Sequence, residues 1–229
     1  MLEENGGGCG LSRALGHVSN SLALQRIGHQ VVGQAAAGAW WSAGQGATNG
    51  DYQIKYLANQ FVKAPFWYAQ QMLASSHQPN VCGGFHVSFS DDHNRNVDFA
   101  DWMAAVSDDG KTLVIRAENP TQYPIPINAA LERTESRANT GHRGMDAAGK
   151  QDGRGKAATL GSLRREGAGW NRNVFVVTLS GSSLAGTNDF DTPDAIIPVN
   201  RTMTLAGTDG NMLSASLAPF SFTIFTLTK

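Results

Sequence analysis

The residues nearest the start of the chain carry the clearest chemical promise. Met1-Leu2-Glu3-Glu4-Asn5, followed by Gly6-Gly7-Gly8-Cys9-Gly10, reads as the end of a buried strand, an acidic pair at its tip and a glycine-rich turn. Strand-tip carboxylates above a turn are where α/β barrels place their chemistry. On a strand, neighbouring side chains point to opposite faces. Glu3 and Glu4 therefore cannot form the facing pair that glycoside hydrolysis needs across a scissile bond, although one of them can face a barrel mouth. The glycine run lacks the Gly-Lys-Ser/Thr ending of a P-loop and the G-x-G-x-x-G spacing, so it reads as a tight loop rather than a phosphate cradle. His86, Asp91, Asp92 and His93 are the one local grouping of ligand-type residues, and they fit a polar loop at the start of a sheet domain better than a metal site. Trp40, Trp41, Trp67 and Tyr68 could line a sugar-binding surface or pack in a core, and Trp40 is taken as a substrate-binding candidate. No cofactor and no metal are expected.

Two kinds of pattern would have to position these groups. Up to about Pro79 the chain is helix-like with short buried pieces. Leu11, Ala14, Leu15, Val18 and Leu22 fall on one helical stripe, with Ser12 as the expected N-cap and Gly28 at the exit. Val31 to Ala37 suits a short buried parallel strand, and a Gly/Asn/Gln loop runs from Gly44 to Asp51. Pro65 stands where an N1 proline would, ahead of a segment apolar nearly all round, which predicts burial between layers. Strand tip, helix, strand, loop and helix make two βα units.

Past Val81 the period changes to two. Met103–Val106 and Thr112–Ala117 flank Asp108-Asp109-Gly110-Lys111, a good hairpin turn. Tyr123 to Leu131 is punctuated by prolines and suits an edge strand. Val174 to Leu179 is β-branched. The closing run from Phe220 to Leu227 alternates with one slip at Ile224-Phe225, expected to be a bulge. Several short strands with turn signals between them predict an antiparallel β-sandwich. Residues 133–172 are rich in Gly, Arg, Ala and Lys and read as a flexible surface insertion.

Composition narrows the partners. The chain has 229 residues, 41% hydrophobic and 16% charged, with a net charge of −1. A packed core is affordable, and no bulk attraction to nucleic acid or acidic membranes is expected. No apolar run is long enough to span a bilayer, so no membrane partner is expected. Cys9 and Cys82 make no disulfide framework and read as reduced thiols. Localisation stays open.

Taken in order, these pieces resemble a known family. The acidic strand tip, the Arg13-Ala14-Leu15 helix, the apolar strand, the Pro65-led helix and the sandwich look like the C-terminal part of the glycoside hydrolase family 51 α-L-arabinofuranosidases. Leu179-Ser180-Gly181, Asn188-Asp189-Phe190-Asp191-Thr192-Pro193-Asp194, Ile197-Pro198-Val199 and Leu217-Ala218-Pro219-Phe220-Ser221-Phe222-Thr223 resemble that family's sandwich motifs. The resemblance implies an α+β composite: residues 1–80 as the last two βα units of an incomplete (β/α)₈ barrel, and 81–229 as the β-sandwich. Glu3-Glu4-Asn5 matches the first and third positions of the family's Glu-aromatic-Asn nucleophile motif, and Glu4 replaces the aromatic. By resemblance Glu3 is the nucleophile, Asn5 binds substrate, and the partner is an arabinofuranosyl-containing saccharide. The intact relative could be a homo-oligomer. The family's acid/base lies in an Asn-Glu motif, and this sequence contains no Asn-Glu dipeptide. A full barrel needs roughly 250 residues. The expectation is therefore a C-terminal portion that is inactive by itself, or else a non-catalytic carbohydrate- or protein-binding sandwich module.

Overall fold

Helix α1 (Leu11–Arg26) forms where the sequence puts its apolar stripe: Leu11, Ala14, Leu15, Val18 and Leu22 are each at most 1% exposed. The chain leaves it at Gly28, whose φ of +83° suits a residue without a Cβ. The start differs from expectation. Gly10 is the N-cap, Ser12 lies inside the first turn, and no side chain caps the helix. The first N–H groups, those of Leu11 and Ser12, donate to the carbonyls of Gly186 and Leu184 at 2.8 and 2.9 Å. A loop distant in sequence thus supplies the acceptors that a local hydroxyl would otherwise provide.

The computed structural model describes residues 10–28, 54–57, 60–90, 96–131, 159–160, 169–207 and 211–229. The strand expected at 31–37 lies outside them. Between α1 and the next helix, the described residues hold an antiparallel hairpin, β1 (Ile54–Leu57) and β2 (Gln60–Lys63), with Leu57 opposite Gln60. Helix α2 (Pro65–Ser75) begins with its proline at the expected position. Its burial is one-sided, not all round: Phe66, Ala69, Met72 and Leu73 are buried, whereas Gln71, Ala74 and Ser75 are exposed. The apolar character of its outer side belongs to Trp67 and Tyr68, which are half-buried.

The strands that follow are β3 (Asn80–Ser90), β4 (Asn96–Val106), β5 (Thr112–Asn119), β6 (Ile125–Ala130), β7 (Thr159–Leu160), β8 (Asn173–Ser180), β9 (Val199–Thr204), β10 (Met212–Leu217) and β11 (Ser221–Thr228). Six of them form one sheet in the order β3-β4-β5-β11-β8-β9, and three form a second in the order β10-β6-β7. The β4–β5 hairpin turns at the expected place. Gly110 has φ +66°, its N–H donates to Ser107 O, and Asp109 Oδ1 accepts from the Ser107 hydroxyl and the Lys111 N–H.

The large sheet is covered on both faces. Trp102, Ala104, Leu113, Ile115, Val174, Val176, Phe225 and Leu227 pack with Ile125, Ile127, Leu213 and Leu217 of the smaller sheet. Met103, Ala105, Val114, Leu179, Phe222 and Ile224 pack with α1 and α2 on the other side. This explains the apparent slip in the last strand. The β11–β5 register runs without interruption from Ser221↔Asn119 to Thr228↔Thr112, so no bulge is present. Ile224 and Phe225 are both apolar because each face of β11 meets a core.

Other expectations shift for similar reasons. β6 is not an edge strand: β10 pairs along all of it, and β7 joins its other side at Asn128 and Ala129, beyond the proline at 126. His86 lies on β3, opposite Asp101, rather than in a loop. Within 133–172 the described residues include β7 and 169–172. Trp170 packs on the sandwich core, and the Asn171 N–H donates to Thr228 O at 2.7 Å. Among the described residues, no helix is long and apolar enough to cross a membrane.

Candidate functional site

Glu3, Glu4, Asn5, Trp40, Trp41, Asp51 and Asp91 to His93 lie outside the described residues. The described chain begins at Gly10, at the entry to α1. A Cβ built on Gly10 would meet the carbonyl oxygens of Leu184, Gly186 and Ala185 at 3.1 to 3.4 Å. The entry to α1 is therefore seated against the loop after β8. Asn188 fixes that loop from inside. It is fully buried, its Nδ2 donates to Lys63 O at 2.8 Å and Ile196 O at 2.9 Å, and its Oδ1 accepts from Ile196 N at 2.7 Å. One amide thus ties the end of β2, the loop and the buried Ile196 together. The motif beginning at Asn188 continues with an Asx turn, in which Asp189 Oδ1 accepts from the N–H groups of Asp191 and Thr192.

A polar seam lies between the helices and the large sheet. Asp101 is 2% exposed and is clamped by both terminal nitrogens of Arg26, with the Ser19 hydroxyl donating at 3.0 Å. Arg116 is fully buried and donates to Ser76 Oγ at 3.0 Å, to Gln25 Oε1 at 2.7 Å and to the Ser76 carbonyl. Burial pushes its guanidinium down to about 10. Asp101 stands directly opposite Glu118 in the β4–β5 register. Cross-strand neighbours sit about 5 Å apart, a separation that would suit a retaining carboxylate pair. These two are excluded from that role by access: at 2% and 3% exposure they meet no sugar, and Asp101 is already held by a cation. The seam is a framework that fastens α1 to the sheet. Its signal in the sequence was present but unread, as charged residues at 101, 116 and 118 inside otherwise apolar strands.

A second polar grouping faces outward. Trp67 and Tyr68, in the first turn of α2, are half-buried and stand edge to face, with centroids 5.2 Å apart. The Lys63 ammonium lies 4.1 Å from the Trp67 centroid and 5.9 Å from that of Tyr68. Burial, and secondly the charge of Asp194, raise the Tyr68 phenol above its ordinary value. Of the four aromatics singled out in the sequence, these two are described and half-buried, and Tyr68 also packs against the helix-side core. Among the described residues no grouping of His, Cys, Asp and Glu could hold a metal ion, and Cys82 is exposed.

No family model and no curated protein matches the chain. Solved structures do. The arabinose-bound MgGH51 α-L-arabinofuranosidase matches with a TM-score of 0.61 at 14% identity, covering 96% of this chain and 28% of that one. A family 51 α-L-arabinofuranosidase from Bifidobacterium longum matches with a TM-score of 0.54 at 12% identity, covering 95% of this chain and 35% of its own. The chain thus spans about a third of the length of these enzymes and shares its fold with that part of them.

Proposed function

We propose that this chain is the C-terminal portion of a retaining α-L-arabinofuranosidase, which releases terminal arabinofuranosyl residues from arabinose-containing polysaccharides or oligosaccharides. The observation that carries the reading is the fold likeness to family 51 enzymes over 95 to 96% of the chain. The ordered sandwich motifs, from Leu179 to Thr223, add to it. In this reading residues 1–80 are barrel units and 81–229 the accompanying sandwich.

Glu3 is the nucleophile that attacks the anomeric carbon and forms a glycosyl-enzyme, with Asn5 and Trp40 binding the sugar. A second carboxyl about 5 Å away protonates the leaving oxygen and later activates water. In the family that acid/base lies in an Asn-Glu motif, which this sequence lacks, and Asp51 is its one local stand-in before Gly84. Without that motif, an activated aryl arabinofuranoside can still glycosylate the nucleophile, because its glycosidic bond breaks with a phenolate leaving group that needs no proton.

The purified chain is therefore expected to turn over arabino-oligosaccharides barely above background. With a dinitrophenyl arabinofuranoside it should accumulate an arabinofuranosyl ester on Glu3, seen by peptide mass spectrometry and lost in Glu3→Gln. Turnover at about 1 per second or more that Glu3→Gln leaves intact would sink the assignment. A non-catalytic binding module is the second reading, favoured by the outward Trp67–Tyr68 pair.

A further inference from the structure

We propose that Lys63, Trp67 and Tyr68 form a subsite for a uronic acid residue. The sugar's C–H face would pack on the exposed part of Trp67, and its carboxylate would pair with the Lys63 ammonium. This deepens the saccharide-binding reading above and rests on it, by naming acidic, uronate-bearing chains as the substrate class.

Three observations carry it. First, the Lys63 ammonium has no counter-ion in contact with it among the described residues. It lies over two aromatic rings. Ring faces attract a cation without neutralising it, so an anion can still join. Second, the backbone beneath is held. Val62 and Ala64, on either side of Lys63, are 3% and 0% exposed. The Lys63 carbonyl accepts from the buried Asn188 amide, and the Trp67 N–H donates to Ala64 O at 3.0 Å. Both side chains therefore spring from fixed points, and only the outer part of Lys63 must adjust. Third, the surface is apolar beyond the charge. Phe61, two residues before Lys63 on the same face of β2, is 71% exposed.

A neutral sugar would gain the stacking alone. The same aromatic-plus-cation surface could in principle accept a nucleobase and phosphate, and the experiment separates the two.

The test titrates the full chain with tri-galacturonate, with its methyl ester and with a short single-stranded oligonucleotide, following tryptophan fluorescence and heat. The expected result is saturable tri-galacturonate binding that the ester weakens about tenfold, that Lys63→Met weakens about tenfold, and that rising salt weakens progressively. Trp67→Phe, which keeps an aromatic packing volume, should fold normally and weaken binding a few-fold. Equal affinity for acid and ester, no effect of Lys63→Met, absence of binding at millimolar ligand, or tighter oligonucleotide binding through the same residues would each overturn it. The Glu3 adduct experiment is independent of these titrations. An adduct without uronate binding defeats the subsite alone, and uronate binding without an adduct defeats the catalytic reading and leaves the module.

Discussion

Truncating Leu22 to alanine tests whether the helix layer and the sandwich are one body. Leu22 is completely buried on the stripe of α1 that packs against the large sheet. The Leu→Ala change removes three carbons, worth about 0.8 kcal/mol each in transfer free energy. The surrounding strands, hydrogen-bonded to neighbours on both sides, can collapse only partly into the gap, so a cavity penalty adds to this. The total comes to about 3 kcal/mol. For a chain of this size each kcal/mol moves the midpoint by about 2–4 °C, so Tm should fall by about 6–12 °C. The sandwich should melt with the helices, because Met103, Val114, Phe222 and Ile224, which meet α1 and α2, lie on strands whose opposite faces build the sandwich core. Far-UV dichroism at a helix-sensitive and a sheet-sensitive wavelength, with calorimetry, reads both. Ile27→Ala, at a residue 71% exposed just past the helix, serves as the control and should shift the midpoint negligibly. If helix signal were lost at lower temperature while the sheet midpoint stayed at its parent value, the shared-core argument would be wrong.

Two further outcomes follow from the polar interior. Asn188→Ala strands three backbone partners at once, two of them buried, so it should cost about 2–3 kcal/mol by denaturant titration; a loss under about 1 kcal/mol would show the loop closing over the gap with new partners. Arg116→Met removes a buried charge with its desolvation cost but strands the Ser76 and Gln25 acceptors, so it should cost about 1–2 kcal/mol near neutrality. The sign with pH is fixed by the direction of the shift. Burial holds the folded guanidinium at about 10, below its unfolded value, so the folded state binds the proton more weakly. The parent therefore bears this cost below pH 10 and recovers stability as pH rises through it. The loss on Arg116→Met should be smallest near neutrality and grow above pH 10, and a loss that shrinks as pH rises would contradict the assignment.

What the linear sequence determined is what depends on near neighbours along the chain. The α1 stripe, the proline opening α2, the turn around Gly110 and the β-branched run of β8 each follow from spacing or backbone preference within a few residues. Glu3, Asn5 and Trp40 lie outside the described residues and stand as a proposal drawn from residue types in a suggestive order. Tertiary structure decided everything that needs two distant segments. The capping of α1 by the carbonyls of Leu184 and Gly186, the Arg26–Asp101 clamp, the Arg116 contacts with Ser76 and Gln25, and the Asn188 stitch join groups 40 to 125 residues apart, or farther still for the cap. No local pattern encodes such partners. The Ile224-Phe225 pair shows the same limit, since an alternating strand is recognisable only while one face meets water. Once helices cover one side and a second sheet the other, both faces become apolar and the period disappears, although the backbone is regular throughout.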